Sequence, residues 1–308
     1  MKKIFITGIS GCVGHYLFDL LSSNQNYQLF LLIRNLSKLK FNPYGFSQVV
    51  VINDDLKNIE KYHAQLREMD FLIHLAADWG GHEGNYDYPL TLFNLLDPSK
   101  CQKVIYFSTA SILGPDGKPL EAAEKFGTNY IQSKYRFYLK LPELKIYPRV
   151  VTLFPTWVLG GDENHPYSHA LQGIIDLRPW LWLIRFFTVD AKFHFIHAKD
   201  LARIALYLLE NETKEKEFIV GNPAISARQL IKEVCEFFGY PIYFQVPIPS
   251  LLIQFLASIF RRKLHSWDLY CLNRKYFVYQ AANASTFGLT SDLQTIYQIM
   301  LYSSRHGE

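Results

Sequence analysis

The sequence has few cysteines and lacks a long apolar run. Its four cysteines among 308 residues, at positions 12, 101, 235 and 271, show no paired spacing. They therefore indicate free thiols in a reducing compartment rather than a disulfide framework. No stretch reaches the roughly 20 apolar residues that a membrane-spanning helix needs. Since the opening MKKIFITG also lacks the apolar length of a signal peptide, we expect a cytoplasmic protein.

Charge of one sign and metal-ligand patterns are also scarce. The formal net charge is +4, and the basic residues form no run longer than residues 261–263, so nucleic-acid binding is not indicated. The ten histidines and the carboxylates show no pattern such as HExxH, and we predict no metal site. Aromatic residues are abundant instead, at 16%. They indicate either an aromatic-rich core or an apolar pocket or face, and composition leaves both open.

Short apolar runs alternate with helical segments along most of the chain. The predicted strands cover residues 2–6, 27–33, 48–52, 70–75, 103–107, 149–154, 194–197 and 218–220. The predicted helices include residues 56–67, 200–210 and a segment from 226 to 238 that Ser226 caps, whereas residues 179–187 are expected to be irregular. Continuously apolar strands that alternate with helices predict an α/β fold with a parallel sheet covered on both faces. Ligands bind such sheets outside the carboxyl ends of the strands.

The first strand leads directly into three evenly spaced glycines. Gly8 lets the backbone leave the strand sharply, Gly11 leaves room for a phosphate, and Gly14 lets the following helix pack closely. The start of that helix offers free N–H groups and a partial positive charge to a pyrophosphate. The spacing alone is a weak signal, because a glycine-rich turn without function has the same pattern.

With these motifs in hand, the chain resembles the extended short-chain dehydrogenase/reductases, also called the NAD(P)-dependent epimerase/dehydratase family. The resemblance covers about residues 1–225 and implies a Rossmann-type doubly wound parallel sheet with a smaller C-terminal substrate lobe. The dinucleotide-binding core would comprise residues 1–160 and 192–223, and the lobe residues 161–191 and 224–308. The residues that carry it are Thr7-Gly8-x-x-Gly11-x-x-Gly14, Asp55-Leu56, His74-Leu75-Ala76-Ala77, Ser108-Thr109 before Gly114, Tyr130-x-x-x-Lys134 and Asp200-Leu201-Ala202.

Tyr130 and Lys134 are the predicted catalytic pair. They are four residues apart and so share one face of a helix. A phenol with a pKa near 10 is a poor base at neutral pH, and we expect the lysine ammonium to lower that pKa. Thr109 stands where the family usually has serine and would orient the substrate oxygen, with Ser111 as a second candidate. The alternative is an exposed helix pair without function.

The resemblance also implies a cofactor site, to which Lys134 contributes by reaching the nicotinamide ribose. Members that prefer NAD usually carry an acid after the second strand, whereas this chain has Arg34, with Lys38 close behind. Both suit a 2′-phosphate, so we expect NADP as the preferred cofactor and NAD as a possible one, unless Arg34 is only a solvated charge. The remaining expected contacts are Thr7, Gly8, Ser10, Gly11, Cys12, Val13, Gly14, Asp55, Leu56, Leu75, Ala76 and Ala77.

The substrate side departs from the nucleotide-sugar members of the family. Phe154 and Trp157 stand where these members have Arg and Asn, and Phe193 stands where a later strand supplies an Arg. Aromatic rings cannot replace a guanidinium fork on phosphate, which favours a less charged substrate. Asn85 matches an asparagine of the family that has either a structural or a proton-relay role. His74 is expected to be a core residue.

These residues favour an NAD(P)-dependent oxidoreductase that transfers a hydride between the cofactor and a carbonyl or alcohol carbon of a fairly apolar small molecule. The alternatives are a nucleotide-sugar epimerase or dehydratase, and a non-catalytic NADP-binding or assembly protein. A homodimer is expected by analogy with the family. Residues 179–187 and the apolar segment 248–260 before the basic residues 261–263 suit either peripheral membrane contact or the core of the substrate lobe.

Overall fold

The apolar strands pair into one parallel sheet. The computed structural model describes residues 1–249, 252 and 265–305, and within them seven strands form this sheet. The strands are β1 (Lys2–Thr7), β2 (Tyr27–Leu32), β3 (Val49–Ile52), β4 (Phe71–His74), β5 (Lys103–Phe107), β6 (Val150–Pro155) and, later in the chain, β11 (Glu217–Val220). Their order across the sheet is β11-β6-β5-β4-β1-β2-β3, with every pair parallel. The order in which successive strands are added therefore reverses between β1 and β4, where a ligand crevice is expected.

Helices cover both faces of the sheet, as predicted. On one face α1 (Cys12–Ser22) packs against α8 (Ala198–Glu210) over β1. On the other face α3 (Asp87–Leu95) and α5 (Asn129–Lys140) close a second apolar cluster that includes Phe93, Tyr106 and Phe137. Two shorter helices, α2 (His63–Arg67) and α4 (Glu121–Phe126), complete this half of the molecule. The fold is the Rossmann-type α/β architecture expected from the sequence.

The second part of the chain has an apolar cluster of its own. Its helices are α6 (His169–Asp176), α7 (Leu181–Ile184), α9 (Ala227–Phe237), α10 (Ser266–Arg274) and α11 (Ile296–Arg305). Its strands are short: β7 (Trp157–Leu159), β8 (Phe187–Thr188), β9 (Lys192–Phe193), β10 (Phe195–His197), β12 (Ile225–Ser226), β13 (Val246–Pro247) and β14 (Tyr276–Phe277). Leu171, Val234 and Ile299 are among the residues that pack together in this cluster. Ser226 caps α9 as expected, because its hydroxyl accepts a hydrogen bond from the Gln229 N–H at 3.1 Å.

Three sequence-based expectations need comment here. Residues 179–187 are not irregular, since a 3₁₀ turn (Arg178–Trp180) leads into α7 and then β8. The helix predicted over residues 56–67 divides into a 3₁₀ segment (Leu56–Tyr62) and α2. The apolar segment 248–260 and the basic residues 261–263 lie outside the described residues, except for positions 248, 249 and 252. Among the residues described, no helix is long and apolar enough to cross a membrane.

Candidate active site

The glycine turn lies at the crevice between β1 and β4. Gly8 has a φ of +81°, and a Cβ there would lie 2.4 Å from the backbone nitrogen of Ala76 at the end of β4. At Gly14 a Cβ would lie 2.4 Å from the carbonyl oxygen of Ile9. Neither position accepts a side chain, so Gly8 lets the turn approach the backbone after β4, and Gly14 lets α1 begin directly against the turn. The role expected for Gly14 is therefore refined, because its close neighbour is the turn itself rather than the strand.

Gly11 is different, because the nearest atom to a Cβ there is the Gly8 carbonyl oxygen at 3.4 Å. Its backbone is extended and it forms the N-cap of α1 without a side-chain cap, and the first turn of α1 has no acidic residue. The N–H groups at the start of α1 are thus available to an anion, and the space beside Gly11 is open. This cradle fits the pyrophosphate of a dinucleotide.

A cavity of about 1570 Å³ extends from this turn to the second part of the chain. It brings together nearly all of the residues predicted for the site. The predicted residues that line it are Thr7, Gly8, Ser10, Gly11, Cys12, Val13, Gly14, Arg34, Lys38, Asp55, Leu56, Leu75, Ala76, Ala77, Thr109, Ser111, Tyr130, Lys134 and Trp157.

The predicted catalytic tyrosine lies in the middle of this cavity. Thr128 caps α5, since its hydroxyl accepts a hydrogen bond from the Ile131 N–H, and Tyr130 follows in the first turn. The Thr109 side chain lies close enough to Tyr130 to lower the pKa of its phenol, and Thr109 accepts a hydrogen bond from the Ser111 N–H at 3.2 Å. The indole ring of Trp79 stacks on the Tyr130 ring at 4.5 Å. Thr109 and Tyr130 therefore lie side by side in the cavity wall.

Lys134 is buried beneath Tyr130, with only 1% of its surface exposed. Its Nζ donates a hydrogen bond to the Phe107 carbonyl oxygen at 2.9 Å, at the end of β5, and lies 4.9 Å from the centre of the Tyr106 ring. Among the described residues, no carboxylate forms an ion pair with it. Burial lowers the pKa of Lys134 to about 7, because the charged amine loses its hydration.

The expected lowering of the Tyr130 pKa by Lys134 is wrong for this arrangement. Burial raises the pKa of Tyr130 to about 12, and the hydrogen bond with Thr109 opposes that change only in part. Desolvation of the phenol is the largest cause, and the buried Lys134 amine loses much of the charge that would stabilise a phenolate. At neutral pH the phenol is protonated and can donate a proton.

Two predicted substrate-side residues do not face the cavity. Asn85 is fully buried; its side chain accepts from the Asp78 N–H at 2.9 Å and donates to the Gly81 carbonyl oxygen at 3.1 Å. It holds the loop between β4 and α3, which is the structural role left open above. Phe154 packs edge-on against Tyr138 in an apolar cluster, with ring centres 5.2 Å apart. Asn85 and Phe154 are therefore corrected to structural positions.

His74 is a core residue, as predicted, and its Nδ1 is hydrogen-bonded to the Thr7 hydroxyl at 2.7 Å. The structure adds cavity residues that sequence reasoning missed, among them His194, Phe277 and Tyr279. His194 is bound at both ring nitrogens, at 2.7 Å to the Asn222 carbonyl oxygen and at 2.9 Å to the Tyr279 N–H. It thus joins β14 and the segment after it to the rest of the wall. Over the residues the structure describes, no His, Cys, Asp and Glu side chains group as a metal site would require.

Comparison with known proteins defines the class. The sequence profile of the NAD dependent epimerase/dehydratase family matches residues 4–221. The chain belongs to this family, and it is an NAD(P)-dependent enzyme of the short-chain dehydrogenase/reductase type. The resemblance stated from the motifs is confirmed. A search of curated proteins finds no match.

Solved structures with a similar fold span the whole chain. UDP-N-acetylglucosamine 4-epimerase from Methanobrevibacter ruminantium, in complex with UDP-N-acetylmuramic acid, is 19% identical with a TM-score of 0.66, over 99% of each chain. The Bordetella bronchiseptica enzyme WbmG, with NAD and UDP, is 16% identical with a TM-score of 0.68, over 99% of this chain and 95% of its own. dTDP-glucose 4,6-dehydratase from Bacillus anthracis, with NAD, is 13% identical with a TM-score of 0.66, over 99% of this chain and 97% of its own. At sequence identities this low, the structural similarity establishes the shared fold alone.

The two glycines of the turn provide a matched test of the cradle. Gly14→Ala should lower the free energy of unfolding by about 1–3 kcal/mol, the usual cost of overpacking, since its Cβ would overlap the Ile9 carbonyl. Gly11→Ala should leave stability nearly unchanged but weaken dinucleotide binding, because the methyl group projects into open space. Denaturant unfolding and cofactor titration check both. Equal destabilisation by the two variants would contradict the assignment.

The buried amine gives the folded protein a specific pH dependence. The pKa of Lys134 is about 7 in the folded protein and about 10.4 in an unfolded chain, so the unfolded chain binds more protons between these values. The free energy of unfolding of the wild type minus that of Lys134→Met should therefore rise by about 1 kcal/mol per pH unit from pH 7 to 10. Chemical denaturation across this range measures the difference. Lys125→Met, at an exposed lysine of α4, is the control and should show no such slope.

Proposed function

We propose that this protein is an NADP-dependent oxidoreductase that reduces the carbonyl group of an apolar small molecule, or oxidises the corresponding alcohol. The observation that carries the proposal is the aromatic wall of the cavity beside Tyr130. Trp79, Trp157, Phe193, Phe277 and Tyr279 all line the cavity there. Such a wall favours a ligand with an apolar body and few charges.

The position of the basic side chains supports the same conclusion. Among the described residues that line the cavity, the lysines and arginines are Arg34, Lys38 and Lys134. The first two follow β2 at the nucleotide end, and the third is the buried catalytic lysine. Phe193 packs edge-on against Trp157 with ring centres 5.4 Å apart, which makes this part of the wall apolar. A substrate diphosphate would find no described guanidinium there to bind it.

Arg274 contacts the aromatic wall but does not itself line the cavity. Its guanidinium donates to the Leu113 carbonyl oxygen at 3.0 Å and lies 4.4 Å from the centre of the Phe277 ring. It also lies 5.7 Å from the centre of the Tyr279 ring, so Arg274 packs against two of the rings that line the cavity.

The geometry gives each catalytic residue a role. A bound nicotinamide supplies a two-electron donor or acceptor. The protonated Tyr130 hydroxyl donates a proton to the carbonyl oxygen of the substrate, and Thr109, which lies beside Tyr130 in the cavity wall, orients that oxygen. Lys134, fixed by the Phe107 carbonyl, is placed to stabilise the tyrosinate that proton transfer leaves. The raised pKa keeps the Tyr130 hydroxyl protonated at neutral pH, which donation of a proton to the carbonyl oxygen requires.

The second candidate is a nucleotide-sugar epimerase or dehydratase. It is favoured by the size of the cavity, about 1570 Å³, which exceeds the roughly 300–1000 Å³ of a single small-molecule site and so suits a second large ligand. Two structures of similar fold contain UDP or a UDP-linked sugar. An epimerase would return its cofactor to the starting state, whereas the proposed reductase consumes NADPH.

The preference for NADP is supported by the charges after β2. Arg34 and Lys38 both line the nucleotide end of the cavity. The guanidinium of Arg34 is largely exposed and lies 3.7 Å from the Asp55 carboxylate. That exposed pair is weak, so the guanidinium can turn from Asp55 to a 2′-phosphate at little cost. Two of the similar structures contain NAD. NAD is therefore the cofactor against which the preference for NADP is tested.

Arg34→Ala tests the cofactor preference. A charge-assisted hydrogen bond contributes about 1.5–3 kcal/mol, so the variant should lose roughly tenfold or more in NADP affinity and little in NAD affinity. Isothermal titration with both cofactors measures the change. Lys61→Ala is the control, because Lys61 forms an exposed ion pair with Asp54 at 3.2 Å and does not line the cavity. Equal affinities of the wild type for NADP and NAD would sink the preference.

Tyr130→Phe tests the catalytic assignment. With a panel of apolar aldehydes and ketones, the wild type should consume NADPH, and the variant should be slower by roughly 10²-fold or more with little change in cofactor affinity. Tyr135→Phe is the control on the same helix, since Tyr135 packs in an apolar cluster outside the cavity. An unchanged rate in Tyr130→Phe would rule out the role. Conversion of UDP-sugars without net NADPH consumption would instead favour the epimerase.

A further inference from the structure

An exposed apolar surface lies beside the mouth of the cavity. Trp180 and Trp182 are 58% and 55% exposed, and Tyr243 and Phe244 are 80% and 60% exposed. Large apolar side chains at this exposure are unusual when they are contiguous. We call this the aromatic surface, and its members are Leu177, Trp180, Trp182, Leu183, Phe187, Tyr243, Phe244 and Val246.

The two stretches that form the aromatic surface are joined into one body. β8 and β13 pair in parallel, and the Val246 N–H donates to the Phe186 carbonyl oxygen at 2.8 Å. The rings of Phe186 and Phe244 stack with centres 5.1 Å apart. Arg185 donates to the Pro241 carbonyl oxygen at 3.0 Å. The aromatic residues are therefore held at fixed positions, although their side chains point away from the lobe's own core.

Within the two stretches that form the aromatic surface, residues 177–187 and 243–246, the charged side chains are all basic. The sequence has no aspartate or glutamate between Asp176 and Asp190, and none between Glu236 and Asp268. The first of these intervals contains Arg178 and Arg185. A partner of complementary chemistry presents negative charge above an apolar layer. Exposed tryptophans and phenylalanines with basic residues beside them are typical of segments that lie on a bilayer.

We propose that the aromatic surface docks this protein on an anionic membrane. Trp180 and Trp182 would enter the boundary between headgroups and acyl chains, and Arg178 would contact the phosphates. Leu177 belongs both to this surface and to the lining of the cavity, so docking brings the cavity mouth to the bilayer. An amphiphilic substrate would then enter the cavity from the membrane, a step that rests on the proposed function.

Vesicle co-sedimentation tests the proposal on the full chain. Vesicles of phosphatidylcholine mixed with phosphatidylglycerol should carry the protein into the pellet at low salt, with less binding at moderate salt. The double variant Trp180→Ser/Trp182→Ser should lose about tenfold or more of its partition coefficient. Arg178→Gln should lose less, and mainly on the anionic vesicles. Tyr44→Ser is the control, because Tyr44 is 70% exposed in the loop after β2, and it should bind like the wild type.

Further measurements make each outcome decisive. The Trp180→Ser/Trp182→Ser variant should keep its thermal stability and its affinity for the cofactor, which separates loss of docking from loss of fold and from failure of the proposed function. Wild-type protein that stays in the supernatant at low salt, or a double variant that binds as well as the wild type, would overturn the proposal. Light scattering tests whether a second copy of this chain covers the aromatic surface instead. A wild-type dimer that the double variant converts to monomer, without vesicle binding by either, would assign the surface to contact between copies.

Discussion

The site depends on a lysine amine held in an apolar interior without an acidic partner among the described residues. Lys134 is hydrogen-bonded to the last carbonyl of β5 and lies over the Tyr106 ring. Burial without a counter-charge disfavours the ammonium form and is costly to the fold. Tyr130, one helical turn earlier, shares the same surroundings and is held in its protonated form. Burial thus acts on the two groups in opposite directions, since it keeps the phenol protonated and disfavours the ammonium form of the lysine.

The parts of this site that the sequence could predict are those in which backbone geometry restricts the residue type. Gly8 and Gly14 cannot be replaced by larger residues without overlap, so their spacing is informative. The Tyr130 and Lys134 spacing follows directly from helix periodicity. The sheet was predictable because strands buried on both faces are continuously apolar. Residues 52 and 107 end their strands where the apolar runs end.

What the sequence could not predict depends on packing between distant segments. Phe154 and Trp157 are close in sequence, yet Phe154 lies in the core and Trp157 lines the cavity, because side-chain direction alternates and then changes between β6 and β7. The pKa of Tyr130 depends on how deeply two helical turns are buried, which spacing does not reveal. The exposure of Trp180 and Trp182 could not be predicted either, since an apolar stretch of that length suits a lobe core as well as a surface.

In the proposed mechanism, Tyr130 is a general acid whose ionisation is controlled by the charge placed beside it. Ultraviolet difference titration of the wild type against Tyr130→Phe measures that ionisation directly. Without a cofactor, Tyr130 should not ionise up to about pH 10.5, in keeping with a pKa of about 12. With saturating NADP, whose oxidised nicotinamide is positively charged, ionisation should shift by at least about one pH unit to lower pH, because a nearby positive charge favours the phenolate. A titration curve that NADP does not move would contradict control of Tyr130 ionisation by nearby charge.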